Sequence, residues 1–240
     1  MARIADVSDE AILLAGGGAA ILQQLANPVV AAGVAGHSDF AERPLDRLHG
    51  TLTYLYVIVY GTPDEARRIA REVGRAHAPV PGARDDAPQL WVAATLYETA
   101  RRVHELVLGE WDDALLADYA VVGTALGMPA SSWPADPAAF AEYWRTAPRE
   151  VGDTARGLAR QLLRPRNVPL WTRMLMPAVR TVTAGLLEPE LRAAYRLPFD
   201  QRRFDRLVRF ARVVYPRLPR WLRRLPRDVY LRRFRRAAAG

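Results

Sequence analysis

The chain has 240 residues, half of them hydrophobic, which is enough to bury a substantial core in one large domain spanning 1–240. It has no cysteine, which excludes disulfides, thiolate-bound metals, iron–sulfur clusters and cysteine nucleophiles. All 34 basic residues are arginine, which excludes Schiff-base lysines, and the net charge of +8 comes from the C-terminal part of the chain.

The N-terminal elements begin with an uncharged stretch over 11–36. Residues 9–26 predict a helix with an acidic first turn, ended by Asn27-Pro28. The stretch is long enough to span a bilayer, but its glycine triplet, Gln23-Gln24 and the proline break favour a buried segment of a soluble core. Acids stand where a basic leader would be expected, so we expect a cytoplasmic protein.

Helical patterns continue along the chain, and no convincing series of alternating strands interrupts them. We therefore predict an all-α fold, a single multi-helix domain enclosing a buried cofactor pocket. The further helices are expected over 44–61, 62–77, 87–109, 112–127, 136–147, 151–163, 169–187, 199–214 and 227–236.

Familiar catalytic signatures are absent from the sequence. The "AGGGAA" stretch lacks dinucleotide-binding spacing and follows no strand, and "GHSDF" lacks the second glycine of a nucleophile elbow. His104-Glu105 has no second histidine four residues on, and no E-x-x-H motif is present, which weighs against a zincin and a ferritin-like di-iron site.

The chain has four histidines, so imidazole chemistry has few candidates. His77, in "VGRAHAPVPG", is either a metal ligand or a helix-end residue that interacts with the last carbonyls. His37 lies in the loop-like "AGHSDF", where either Ser38 or Asp39 simply caps the next helix or His37 faces the cofactor's surroundings or the substrate; it is the reserve ligand. His49 is expected to be exposed, and His104 to lie on the solvated side of its helix.

Arg47 and Thr51 are four residues apart, so they share one face of the predicted 44–61 helix. A guanidinium and a hydroxyl pointing into an apolar cavity are costly unless something polar binds there. The alternatives are a surface arginine paired with Asp46 or Glu42, and a threonine bonded back along its own helix.

Several stretches in order resemble the MpaB and rubber oxygenase (latex clearing protein) family. They are the text from "GGGAAILQQLANPVVAAGVAGHSDF" to "VIVYGT", then "VGRAHAPVPG", "PQLWVAATLYETARRVHELVLG" and "LGMPASSWPAD". The resemblance covers nearly the whole chain and is nearer to the MpaB-like bacterial branch.

The resemblance implies a haem b (iron) oxygenase that uses dioxygen on a hydrophobic, unsaturated substrate. It places the axial iron ligand at His77, and Arg47 and Thr51 on the distal side with catalytic and cofactor-binding roles. A distal lysine of the rubber-cleaving branch would fall at Gly50, so this chain departs from that pattern, and the rubber-type mechanism and substrate do not carry over directly.

Residues 191–240 form a basic, proline-interrupted helical region with sixteen arginines against three acids. Its 199–214 helix is amphipathic, and we expect the apolar side to pack on the core; peripheral membrane contact is the other interpretation. No motif supports nucleic-acid binding. The alternative function is a non-catalytic helical module whose basic tail docks on a membrane or an acidic partner.

Overall fold

The computed structural model of the protein describes residues 3–36, 44–165 and 170–239, with side chains for all of these except 44–47 and 239. Throughout these ranges the regular elements are helices, and none of the described residues lies in a strand. The predicted all-α class is therefore confirmed.

The N-terminal part folds into short helices followed by three long ones. They are α1 (Ile4–Val7), a 3-10 turn (Ala11–Gly16), α2 (Gly17–Leu25), α3 (Pro28–Gly36), α4 (Pro44–Tyr60), α5 (Pro63–His77) and α6 (Asp86–Val107). The expectation of one helix over 9–26 was wrong at its start, where the glycine triplet joins a 3-10 turn to α2.

The uncharged 11–36 stretch is sharply bent. The segments Ala11–Leu25 and Pro28–Gly36 meet at 103°, and the Asn27 side-chain oxygen accepts the backbone N–H groups of Val29 and Val30 at the start of α3. Among the described residues no single helix is long and apolar enough to cross a membrane, although this bent pair passes by length and composition. Ala19, Leu22 and Leu25 are buried in the core.

The C-terminal part continues with shorter helices. They are α7 (Leu115–Tyr119), α8 (Val121–Thr124), α9 (Pro137–Thr146), α10 (Asp153–Leu163), α11 (Leu170–Leu186), α12 (Pro189–Ala194), α13 (Gln201–Val214), α14 (Arg220–Arg223) and α15 (Leu225–Ala239). The single helix expected over 112–127 is divided at Ala120. Local caps agree with the sequence pattern, because Thr62 and Glu65 form a reciprocal capping box at the start of α5.

Two hydrophobic clusters form the core, and α6 contributes to both. The first surrounds Tyr97, where α4, α6 and α9 meet, and the second surrounds Leu22, where α2, α10 and α11 meet. Helix α6 therefore connects the two clusters, and the candidate site lies beside α2 and α6.

The basic C-terminal region is fastened to the N-terminal segment by ion pairs. Asp9 is 2% exposed and contacts Arg224 at 2.6 Å and Arg227 at 3.1 Å. Glu10 accepts the hydroxyl of Tyr215 at 2.8 Å. Part of the positive charge in this region is thus neutralised within the fold.

Helix α13 packs its apolar side on the body, as the sequence predicted. Phe204 is buried and Leu207 and Val208 are half-buried, while Phe210 and Val213 remain exposed.

Candidate functional site

An apolar cavity lies among α2, α3, α4, α6 and the short helices α7 and α8; we call it the α2–α4 cavity. The cavity has a volume of about 180 Å³. Its walls are mostly aliphatic, and they include Leu13, Ala20, Ile21, Leu25, Val30, Val34, Leu52, Leu55, Val59, Leu96, Ala100 and Val122. Such walls suit an apolar ligand.

The glycine triplet shapes one wall of this cavity. Gly16 and Gly17 both line it. A Cβ at Gly16 would overlap Thr99 and Val103 of α6, and a Cβ at Gly18 would overlap Thr183 of α11. At Gly17 an added Cβ meets no atom within 4 Å. Gly16 and Gly18 thus permit close helix packing, while Gly17 leaves open space at the cavity wall.

Polar groups on the walls are few and uncharged. Thr99 donates its hydroxyl to the buried side-chain oxygen of Gln23 at 2.9 Å, and Ser8 and Gln24 add a hydroxyl and an amide. Tyr56 and Tyr119 also line the cavity, and burial raises the pKa of each phenol above its ordinary value. The phenols therefore stay neutral near physiological pH, and these walls offer hydrogen bonds rather than charge.

The cavity opens beside Thr51. Thr51 and Leu14 are both exposed and both line the cavity, which places them at its mouth. Arg47 precedes Thr51 by one helical turn of α4, so their backbone positions share a face. The structure describes the backbone of Arg47 but not its side chain. Thr51 is thus at the cavity, and the distal role of Arg47 stays a prediction.

His77 ends α5 and is half-buried. The chain that follows it packs on α3, because a Cβ at Gly33 would lie 2.9 Å from Val80. Helix α3 in turn supplies Val30 and Val34 to the cavity. His77 is not among the described residues that line the cavity, although the segment after it contacts a cavity-lining helix. His37 falls in 37–43, outside the described residues.

The other two histidines differ in their surroundings. His49 is exposed, as expected, and its ring lies 5.8 Å from that of Tyr230. The expectation that His104 lies on a solvated helix face was wrong, because His104 is half-buried and its ring meets Trp111 edge-on at 5.3 Å. Burial lowers the pKa of His104 below its ordinary value.

Sequence reasoning did not identify several residues of the cavity. Tyr56 both stacks on Tyr230 and lines the cavity. Thr99 lies on the regular α6 helix, where a periodic pattern does not distinguish a buried wall from a ligand site. The sequence signal that could have identified Thr99 is that it is a polar residue at a buried position on an apolar helix face.

Comparison with known protein families identifies one match. The model described as the catalytic domain of the ER-bound oxygenases mpaB and B′ and of rubber oxygenase matches residues 5–213. Uncharacterised proteins of Mycobacterium bovis and Mycobacterium tuberculosis are each 31% identical over 227 residues, covering 83% of this chain and 87% of the relative. No solved structure matches the chain.

Proposed function

The chain belongs to the family of MpaB-type and rubber oxygenase catalytic domains, and on this premise we propose that it is a haem b-dependent oxygenase acting on an apolar, unsaturated organic substrate. The observation that carries the proposal is that the matched span, 5–213, contains every residue lining the α2–α4 cavity except Ile4. The part of the chain that matches the family therefore contains the apolar cavity.

The walls of the cavity suit an apolar group or an apolar substrate in chemical character. Gly17 leaves open space at one wall, and most of the other walls are aliphatic. Their hydroxyl and amide groups orient a ligand through hydrogen bonds and do not titrate near neutral pH. The reactive chemistry, activation of dioxygen, is what haem supplies when bound.

His77 would hold the iron, since a neutral imidazole is an ordinary axial ligand. This assignment rests on the resemblance in "VGRAHAPVPG" and not on the cavity walls, which His77 does not join. Arg47 and Thr51 would donate hydrogen bonds, from a guanidinium and a hydroxyl, to the reacting dioxygen. His37 is the reserve ligand.

Gly50 stands where the rubber-cleaving branch has a distal lysine, and the chain has no lysine at all. The amine that would act from this position is therefore missing here. We accordingly propose a substrate class, apolar and unsaturated, rather than polyisoprene itself.

Dioxygen uptake tests this proposal. Haem-supplemented protein is mixed with squalene or linoleic acid, and uptake is compared with a haem-only blank. A Gly17→Leu variant places a side chain in the open space of the cavity, so we expect uptake to fall about tenfold or more. Gly157→Leu is the matched control, because Gly157 lies on α10, also has no atom within 4 Å of an added Cβ, and does not line the cavity.

Uptake that stays at the blank level in both the wild type and the Gly157→Leu control would contradict the proposal. Equal loss in both glycine variants would remove the α2–α4 cavity from the reaction.

A second candidate function is peripheral docking on an anionic membrane, which is compatible with oxygenase activity. It is favoured by exposed large apolar side chains on neighbouring helices α11 and α13. Trp171 is 67% exposed, Met174 76% and Phe210 66%, and Arg206 and Arg209 are exposed beside Phe210. Sedimentation with vesicles of phosphatidylcholine and phosphatidylglycerol tests it, with Trp171→Gln expected to reduce binding and pure phosphatidylcholine expected to bind less.

A further inference from the structure

A second concave region lies away from the α2–α4 cavity, between α10, α11 and the connection that leads into α13. Its volume is about 780 Å³. We call it the arginine cleft, since six arginines line it: Arg156, Arg160, Arg164, Arg180, Arg196 and Arg203. The cleft is also lined by two carboxylates, those of Asp153 and Asp200.

Most of this positive charge is not neutralised by the protein. Arg156 pairs with Asp153 at 3.0 Å. Asp200 accepts the backbone N–H of Arg203 as the cap of α13. Among the described residues, the other five arginines of the cleft form no ion pair, whereas Arg224 and Arg235 elsewhere in the basic region pair with Asp9 and Glu65. The cleft therefore has an excess of positive charge, whereas some arginines elsewhere in the basic region are neutralised by carboxylates.

The free donors of these arginines suit an oxyanion. Arg180 uses one terminal nitrogen on the carbonyl of Leu163, and Arg160 uses its Nε on the carbonyl of Arg156. Their remaining N–H groups are available to a ligand. Guanidinium groups match phosphate oxygens in pairs of parallel hydrogen bonds, which a single ammonium does not do.

Arg196 supplies an independent observation, because its backbone takes a conformation that favours glycine. Its φ is 54°, the only positive φ of a non-glycine residue among those described. It follows α12, where its N–H bonds to the carbonyl of Ala193 and the next N–H bonds to that of Arg192, a helix ending that normally uses glycine. An arginine at such a position bears strain, and strained residues concentrate at ligand sites.

The remaining wall of the cleft is apolar. Leu163, Pro177, Leu197 and Phe199 line it, as does Tyr195, whose hydroxyl bonds to the Leu22 carbonyl in the core. A ligand that fits both parts carries a phosphate beside a hydrophobic portion.

We propose that the arginine cleft binds the phosphate group of an amphiphilic phosphate monoester. The site is separate from the α2–α4 cavity, so its occupancy does not depend on haem or on the oxygenase reaction. The same chemistry is available from a lipid headgroup and from free phosphate, and the probes below distinguish these two sources.

Isothermal titration calorimetry of the full chain tests the proposal with three probes. These are inorganic phosphate, dioctanoyl phosphatidic acid in its monomeric form, and dioctanoyl phosphatidylcholine, whose phosphate is a diester beside a cation. We expect phosphatidic acid to bind with a Kd about tenfold or more below that of phosphatidylcholine. Inorganic phosphate binding as tightly as phosphatidic acid would assign the cleft to free phosphate instead of a lipid headgroup.

Matched double variants separate the cleft from general charge. Arg160→Gln/Arg180→Gln should weaken phosphatidic acid binding about tenfold or more, while Arg71→Gln/Arg236→Gln, which removes two exposed arginines elsewhere, should leave it within about twofold. If the wild type bound neither inorganic phosphate nor phosphatidic acid, the proposal would be overturned. Equal weakening of binding in both double variants would also overturn it. Because the probe is monomeric, failure of vesicle docking does not affect this result.

Arg196→Gly provides a second variant that is not expected to damage the fold. Glycine relaxes the positive φ, so the melting temperature should rise while phosphatidic acid binding weakens. A rise in melting temperature with unchanged affinity would remove Arg196 from the site.

Discussion

The three glycines at 16–18 should respond differently to substitution by alanine, although they are adjacent and chemically identical. Gly17 faces open space, so Gly17→Ala adds a methyl group without steric conflict and reduces the entropy of the unfolded chain. Gly16 and Gly18 face Thr99 and Thr183, so alanine at either position forces two helices apart.

The magnitudes follow from these contacts. We expect Gly17→Ala to stabilise the fold by about 0.5–1 kcal/mol, which raises the melting temperature by about 1–4 °C in a chain of this length. Gly16→Ala and Gly18→Ala should each cost about 1–3 kcal/mol and lower it by about 2–12 °C. Thermal unfolding followed by circular dichroism measures all three.

A compensating variant sharpens the test at Gly18. The Thr183 side chain is fully buried, and its hydroxyl has no hydrogen-bond partner among the described residues. Thr183→Ala removes the hydroxyl oxygen that an added Cβ at Gly18 would overlap, so the Gly18→Ala/Thr183→Ala pair should recover part of the loss. Equal destabilisation by alanine at all three glycines, or strict additivity of this pair, would refute the reasoning.

Two further predictions concern stability. Asp9→Ala should lower the free energy of unfolding by about 2–3 kcal/mol, or the melting temperature by about 4–12 °C, because it leaves Arg224 and Arg227 without their buried partner. Asp64→Ala, at an exposed ion pair, should cost less than about 1 kcal/mol. Similar losses in both variants would contradict this prediction. Burial lowers the pKa of His104, so as the pH falls the imidazole is protonated in the unfolded chain before it is protonated in the folded one. Stability to urea should therefore fall as the pH drops below about 6.5, and it should fall less in His104→Gln. Identical pH profiles of the two proteins would contradict this prediction.

Much of the fold was predictable from local patterns. Helix α5 begins at Thr62-Pro63 and ends at His77, as the capping residues indicate. The break at Asn27-Pro28 and the packing of the apolar side of α13 also follow from local residue types. These features depend on neighbours along the chain, which a single sequence contains.

The cavity was less predictable, because it depends on contacts distant in sequence. Nothing local to Gly17 indicates that α6 lies against Gly16 and α11 against Gly18. The burial of His104 depends in the same way on Trp111, which returns from the loop after α6. Thr51 was predicted to share a helix face with Arg47, but only the packing of α2 and α3 makes that face the mouth of a cavity.

The absorption spectrum of the protein after haem-supplemented expression tests the central claim most directly, because it does not require the substrate to be known. We predict a Soret band in the wild type and in His49→Ala, whose exposed histidine serves as the control, and loss of most bound haem in His77→Ala. A colourless wild-type protein would contradict haem dependence, and full haem occupancy with an unchanged spectrum in His77→Ala would contradict His77 as the iron ligand.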